Sequence, residues 1–286
     1  MPQTRYHARA PKAEAFALYE KLDALFGGEG VPLAIVEIDE ASGEQEVSAY
    51  FEDAGAFGDE AIRRAFEGHA AEVETLPDID WMQSVLAGLK PVRAGRFLVH
   101  GAHDRDKVRA GDLSIEIEAG QAFGTGHHGT TAGCLTLIGD IVRRRRPANA
   151  LDLGTGSAVL AIGIAKLARV PVLATDIDPV AVRVARENVR ANGVHALVET
   201  AVSTGFHSGV FAGTPRFELI VANILAGPLM ALAPRMAAHL APGGDLVLSG
   251  ILARQRRGVL AAYRAQGLVH RRTLTRGEWV TLHLTR

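Results

Sequence analysis

Leu151-Asp152-Leu153-Gly154-Thr155-Gly156-Ser157 carries a clear chemical signal, a carboxylate two residues ahead of a pair of glycines. Glycines at such a place permit a tight turn and let the backbone approach a ligand closely. Asp176 follows Gly154 by 22 positions. Its two oxygens suit the paired hydroxyls of a ribose. These residues describe a pocket for a nucleotide-like cofactor. The match to the dinucleotide fingerprint G-x-G-x-x-G is partial, because Val159 stands where a further glycine belongs. Asp178, just ahead of Pro179, reads first as a helix cap.

Two other stretches narrow the chemistry. Asn223-Ile224-Leu225-Ala226 follows an apolar strand-like run, and ligands of doubly wound sheets bind outside the carboxyl ends of the strands. An amide oxygen at Asn223, with a nearby carbonyl, can hold the hydrogens of an amine and aim its lone pair at an electrophilic carbon. Freeing that lone pair at neutral pH costs roughly 4–5 kcal/mol for a lysine and about 1 kcal/mol or less for an α-amine. Desolvating the ammonium lowers the cost, so no residue is nominated as an obligatory base. The other stretch is Gln121-Ala-Phe-Gly-Thr-Gly-His-His-Gly-Thr-Thr131. Its histidines, His127 and His128, are available to shuttle protons. No third ligand stands near them, so no metal is expected. Thr130 and Thr131 suit the start of a helix.

The elements that must position these residues fall into two patterns. Residues 1–76 read as β-α-β-β-α-β, a small ferredoxin-like α+β domain. Its strands are expected at Thr4–Ala10, Pro32–Asp39, Glu46–Glu52 and Ala71–Leu76, and its helices at Lys12–Phe26 and Asp59–His69. On the first helix Phe16, Tyr19, Leu22 and Phe26 share a face. A short helix from Pro77, containing Trp81, ends near Leu89 ahead of Lys90-Pro91, which makes residues 77–94 a helical linker. From residue 95 strands and helices alternate as in a parallel α/β sheet. Strands are expected at Arg96–His100, Leu113–Glu118, Ala148–Leu153, Val172–Asp176, Glu218–Asn223 and Leu246–Ser249. Helices are expected at Thr131–Arg145, Ala158–Ala168, Pro179–Asn192, Leu229–His239 and Arg254–Gln266. An antiparallel hairpin, His270–Leu274 with Trp279–Leu284, closes the chain.

Composition sets the outer bounds. The 286 residues are 48% hydrophobic and 22% charged, enough to bury a sizeable core. A formal net charge of −1 gives no global pull toward nucleic acid or an anionic membrane, and local basic patches stay open. Arg143-Arg-Arg-Arg146 reads as a solvated helix end that complements the dipole. The single cysteine, Cys134, excludes an intramolecular disulfide and reads as a buried small residue. No apolar leader or run of about 18–20 apolar residues stands out, so a cytoplasmic protein without a membrane anchor is expected.

The turn at Asp152 with Asp176 resembles the class I S-adenosylmethionine methyltransferases, whose usual pattern has a third glycine where this chain has Ala158. The full set is more specific: Ala122–Thr131, Asp152–Gly156, Asp176-Ile-Asp178 and Asn223-Ile-Leu-Ala-Gly-Pro-Leu229, in that order. It resembles the PrmA family of ribosomal protein methyltransferases over most of the chain. That resemblance implies a Rossmann-like class I methyltransferase domain at 95–286, with S-adenosyl-L-methionine as the methyl donor. It implies methylation of lysine ε-amines and the N-terminal α-amine of large-subunit ribosomal protein eleven, free or in the ribosome. The domain at 1–76 would capture that protein, and no direct sequence-specific nucleic-acid binding is expected. By position the cofactor contacts fall on Thr131, Gly154, Asp176 and Asn223. Phe123, Thr125 and Gly126 would wrap the methionine end, with Asp152 and Gly156 in the turn. Asn223 positions the amine. The alternatives are a lysine methyltransferase acting on another protein, a nicotinamide-dependent oxidoreductase, and a non-catalytic cofactor-binding module.

Overall fold

Along the first strand the side chains alternate: Tyr6, Ala8 and Ala10 are buried, while Arg5, His7 and Arg9 point to the opposite face. A computed structural model of the chain describes residues 3–26, 31–39, 44–51, 54–76, 91–117 and 128–286. Trp81 with the expected linker helix, and residues 118–127, lie outside them. The chain divides into two units, Met1–Val85 and Leu86–Arg286.

The first unit runs β1 (Gln3–Pro11), α1 (Lys12–Phe26), β2 (Leu33–Asp39), β3 (Glu44–Phe51), α2 (Ala54–Phe57), α3 (Asp59–Ala65) and β4 (Glu72–Leu76). Its strands form an antiparallel sheet in the order β2-β3-β1-β4, the ferredoxin-like arrangement. On α1 the buried stripe is Ala15, Leu18, Leu22 and Phe26. Phe16 and Tyr19 are only half-buried, so the inward face is rotated from the one read off the aromatic spacing. Tyr6 and Phe26 each meet Phe51 edge-to-face, at 5.6 and 5.4 Å between ring centres.

The second unit opens with a small sheet of β5 (Val92–Ala94), β6 (Phe97–His100) and β7 (Leu113–Glu116). Then follow α4 (His128–Arg144), β8 (Ala150–Leu153), α5 (Val159–Ala168), β9 (Val172–Asp176), α6 (Pro179–Ala191), β10 (Val198–Val202), β11 (Phe217–Asn223), α7 (Ala226–His239), β12 (Leu240–Leu252), α8 (Arg256–Arg264), β13 (Val269–Arg276) and β14 (Trp279–Thr285). Two of these strands, β5 and β10, are absent from the sequence reading. Each is short, and neither forms a clean apolar run. Helix α4 begins three residues earlier than its sequence suggests, which puts Thr131 in its first turn.

The main sheet has the order β10-β9-β8-β11-β12-β14-β13. Its first five strands are parallel. Strand β14 runs antiparallel to β12, and β13 antiparallel to β14, forming the expected closing hairpin. The chain winds outward through β8, β9 and β10, then crosses back to β11 beside β8. That reversal leaves a crevice at the carboxyl ends of β8 and β11. One apolar core lies where α4, α5 and α6 meet the sheet, and another where α7 and α8 meet it. Arg146 donates to the carbonyls of Ala168 and Arg169 and so caps α5, while Arg143 pairs with Asp140. The arginine run thus serves helix ends, as its position implies.

Candidate cofactor and acceptor site

Strand β8 ends at Leu153, and the chain turns through Gly154 at φ 70°. A Cβ on Gly154 would stand 2.3 Å from Cγ2 of Ile224, so the turn needs glycine for space as well as conformation. The amides of Gly154 and Thr155 both donate to the Thr175 carbonyl, at 2.8 and 2.9 Å. Asp152 sits beneath them, 1% exposed. Its Oδ2 accepts from Thr155 Oγ1 at 2.7 Å and from the Ala161 amide at 3.0 Å. Its Oδ1 is buried with no partner among the described residues. Burial pushes this carboxyl up to about 7, against the opposing pull of the Thr155 and Ala161 bonds.

Asp176, at the end of β9, accepts from the Gly156 amide through Oδ2 (2.9 Å) and from the Asp178 amide through Oδ1 (3.1 Å). A carboxylate has about four acceptor sites, so both oxygens keep capacity for ribose hydroxyls. Asp178 accepts from the Val180 amide at 2.8 Å and caps α6. Ala158 is fully buried in the left-handed region at φ 66°. The backbone here has the conformation that a glycine would favour, and the methyl group is accommodated at a cost of about 1–2 kcal/mol.

A cleft of ≈ 230 Å³ opens over this turn. Thr131, Asp152, Gly154, Gly156 and Asn223 all line it, so most of the nominated residues in the described chain share one wall. Asp176 is not among the lining residues; it is tied to the turn by its bond from the Gly156 amide. Phe123, Thr125, Gly126 and His127 lie outside the described residues. Asn223 is half-buried at the carboxyl end of β11, and its Nδ2 donates to Thr130 Oγ1 at 3.3 Å. That bond orients the amide and assigns Oδ1 as its remaining acceptor. The next residue, Ile224, is clamped on both sides. Its side chain covers Gly154, and its carbonyl lies 2.4 Å from where a Cβ on Gly250 would be. Gly250 has φ 80°, so both space and conformation call for glycine there.

Sequence reasoning missed several positions. Trp279 lines the cleft because β14 pairs with β12 and brings residues far apart in sequence together. Gly250 likewise needs the β11–β12 pairing to reach Ile224. Ile177, beside Asp176, exposes an apolar side chain to 65%; an exposed isoleucine just after the acidic strand end was the available signal. Asn188 is buried on α6 and donates to the Ser157 carbonyl at 3.0 Å, which ties the turn to that helix. Cys134 is buried, and burial pushes its thiol up to about 12, so it holds no thiolate at neutral pH.

A glycine turn with an unpartnered buried carboxylate oxygen, a second carboxylate on the next strand and an asparagine at the crevice outline a methyl-transfer site. The profile of the family described as ribosomal protein L11 methyltransferase (PrmA) matches residues 29–286. The chain belongs to that family. Its similarity to a ribosomal protein L11 methyltransferase of Mesorhizobium japonicum is 57% identity over 288 residues, 99% of each chain. A protein of the same name from Chelativorans sp. (strain BNC1) is 57% identical over 290 residues, the full length of both. The crystal structure of ribosomal protein L11 methylase from Lactobacillus delbrueckii subsp. bulgaricus aligns with a TM-score of 0.62 and 28% identity, over 69% of this chain and 99% of its own. The L11 methyltransferase family thereby accounts for the Rossmann-like fold with its closing hairpin. No described helix is long and apolar enough to cross a membrane.

Proposed function

We propose that the protein methylates amine nitrogens of ribosomal protein L11, the ε-amines of lysines and the N-terminal α-amine, with S-adenosyl-L-methionine as donor. Family membership supports the donor and the protein substrate. The observation that carries the nitrogen chemistry is Asn223, held by Thr130 at the mouth of the cleft over the glycine turn. Its Oδ1 can accept a hydrogen from an incoming amine and keep the nitrogen lone pair aimed into the cleft.

The residues present fit the donor. Asp152 Oδ1 is an acceptor without a partner and suits a cationic amine. The Gly154 and Gly156 backbone allows close approach. Asp176 offers acceptors to ribose hydroxyls, and Ile177 offers an apolar face beside them. Bound here, the donor would supply a methyl group activated by its positive sulfur, which leaves as a neutral thioether, to an amine whose proton has already gone to water. Thr131 shapes the wall beside Asn223. The segment Gln121–His127, with Phe123, Thr125 and Gly126, is assigned to the methionine end. Residues 1–76 are assigned to capture of the substrate protein, and the reaction is assigned to the cytoplasm.

The test is transfer of labelled methyl from S-adenosylmethionine to purified L11, followed by mass mapping of the modified nitrogens. Label on lysines and the N-terminal residue is expected. Label on side chains other than lysine, or none with label on a different protein of a lysate, would refute the assignment. Nitrogen chemistry also predicts a pH signature. Between about pH 6 and 9, turnover at lysine should rise about tenfold per unit, while turnover at the α-amine should level off near about pH 8.

A further inference from the structure

The near-zero charge of the whole chain hides two large opposite charges. Met1–Val85 carries 18 acidic against 6 basic side chains, and Leu86–Arg286 carries 25 basic against 14 acidic. The basic excess is concentrated. From Ile224 to Gly277 eight arginines face one acidic residue, Asp245, which is buried against His283 with 2.6 Å between Oδ1 and Nε2. A protein surface ordinarily intersperses both signs.

Six of these arginines lie on α8 and β13. Strand β13 is the edge of the sheet, and α8 lies beside it. Arg256 Nε donates to Thr273 Oγ1 on β13 at 3.1 Å, and Arg271 Nε donates to Thr285 Oγ1 at 2.8 Å. Each bond uses the inner nitrogen and leaves the two terminal nitrogens of the guanidinium. Arg272 is paired with Asp140. Among the described residues no carboxylate pairs with Arg256, Arg257, Arg264 or Arg271. His270 registers the local field: burial, then the charges of Arg256 and Arg264, hold its imidazole below the ordinary range. Arg272 and Arg276 stand on the α4 face of the sheet, against Asp140 and Gly129, whereas α8 packs on the opposite face with Val280, Leu282 and Leu284. The cations therefore flank the edge strand on both faces, along a strip of roughly 26 Å for eight residues. At one end Arg276 pairs with Trp279, which lines the cleft.

We propose that the arginine strip of α8 and β13 binds the phosphate backbone of RNA. A single polyanionic strand laid along the sheet edge can meet cations from both faces, and a guanidinium fork can engage two phosphate oxygens at once. Backbone contacts do not distinguish bases, so the binding is independent of sequence. Membrane attachment would call for apolar side chains to insert between lipids; on α8 and β13 the one large exposed apolar side chain among the described residues is Val269. The strip's role is separate from the methyl-acceptor assignment, because it is tested without methyl transfer.

The experiment titrates the full-length protein into a fluorescein-labelled single-stranded RNA of mixed sequence and follows anisotropy at about 50 and about 200 mM salt. Binding at the lower salt is expected, with a marked loss at the higher. The triple variant Arg256→Gln, Arg264→Gln, Arg271→Gln should weaken binding by about tenfold or more and lower the log–log salt slope by about 2. The pair Arg183→Gln, Arg190→Gln on α6, at the far end of the sheet, should leave affinity unchanged. Should the triple variant melt early, Arg264→Gln alone carries the test, since its side chain makes no hydrogen bond among the described residues; a loss of about threefold is expected. Absence of binding at low salt, wild-type affinity in the arginine variants, or equal weakening by the α6 pair would overturn the proposal. So would vesicles of mixed anionic and neutral lipid binding as tightly as RNA at the same salt, which would make the partner a membrane.

Discussion

Two buried carboxylates, Glu46 in the first unit and Asp152 in the second, are held in opposite ways. In the ferredoxin-like unit the buried carboxylate of Glu46 is surrounded by Arg5, Arg9 and His7. Burial alone would raise its pKa, but these neighbours outweigh it and hold the carboxyl below its ordinary range. Tyr6 donates to Asp59, which also binds Arg63, and burial with that bond raises the phenol to about 12. In the second unit Asp152 is more deeply buried, has an oxygen without a partner among the described residues, and is pushed the other way, up to about 7. Beside it Ala158 holds a left-handed backbone. A satisfied network leaves no acceptor for a ligand to fill. A site that leaves an acceptor unpaired and a backbone strained stores a cost that a small ligand can offset.

Variants can break or sharpen that contrast. The largest effect is expected from Asn223→Ala, which should cut turnover by about 10²–10³-fold while shifting cofactor affinity by less than about threefold. Calorimetry with S-adenosylhomocysteine beside initial rates separates the two, and an equal loss in both would mean that Asn223 chiefly builds the cofactor pocket. Next comes Gly250→Ala, which drives a methyl group against the Ile224 carbonyl at positive φ and should cost about 3 kcal/mol or more. Chemical denaturation measures this directly. A loss below about 1 kcal/mol would show that the clamp on Ile224 yields easily.

Asp152 gives an intermediate effect with a definite sign. The folded state keeps this proton up to about pH 7, whereas the unfolded chain loses it near about 4. The raised carboxyl therefore makes the ligand-free protein less stable as pH climbs from about 4 to about 7. An ammonium placed against Asp152 favours the carboxylate, so affinity for S-adenosylhomocysteine should fall about tenfold per unit below about pH 7. Asp152→Asn should flatten both profiles, and curves that match wild type would remove Asp152 from the amine contact. The smallest effect is expected from Ala158→Gly, a gain of about 0.5–1 kcal/mol in thermal unfolding, because relief of the left-handed strain exceeds the entropy that glycine loses. Destabilisation there would show that the buried methyl contributes more packing than strain. Glu46→Gln, in the first unit, should lower stability in thermal unfolding and leave turnover per folded molecule unchanged.

Much of the architecture was legible in the chain. The parallel α/β pattern, the ferredoxin-like order and the closing hairpin all follow from apolar periodicity punctuated by glycine, proline and aspartate. Val172–Asp176 is read to the residue, because a β-branched strand ends at a polar turn. Strand β10 was not legible: Val198-Glu-Thr-Ala-Val202 is short and half exposed, and only its pairing with β9 makes it a strand. The α1 stripe was rotated because Ala15 and Leu18 fit the crowded sheet face, leaving Phe16 and Tyr19 at its border. Within the candidate site, Asp152, the two glycines, Asp176 and Asn223 could be nominated from spacing. Trp279, Gly250 and Asn188 could not, since each reaches the site through strand or helix packing.

Local residue order by itself determined the turn chemistry and the family, because these depend on short spacings and on which side chains carry charge. It also contained the opposite charges of the two units, although their near cancellation concealed them. Tertiary structure alone decided that one oxygen of Asp152 has no partner among the described residues, that Asn223 is oriented by Thr130, and that α8 and β13 bring their arginines to the two sides of one sheet edge. The physical reason is that solvation and hydrogen-bond satisfaction belong to surroundings. Those surroundings are assembled from segments that no local pattern connects.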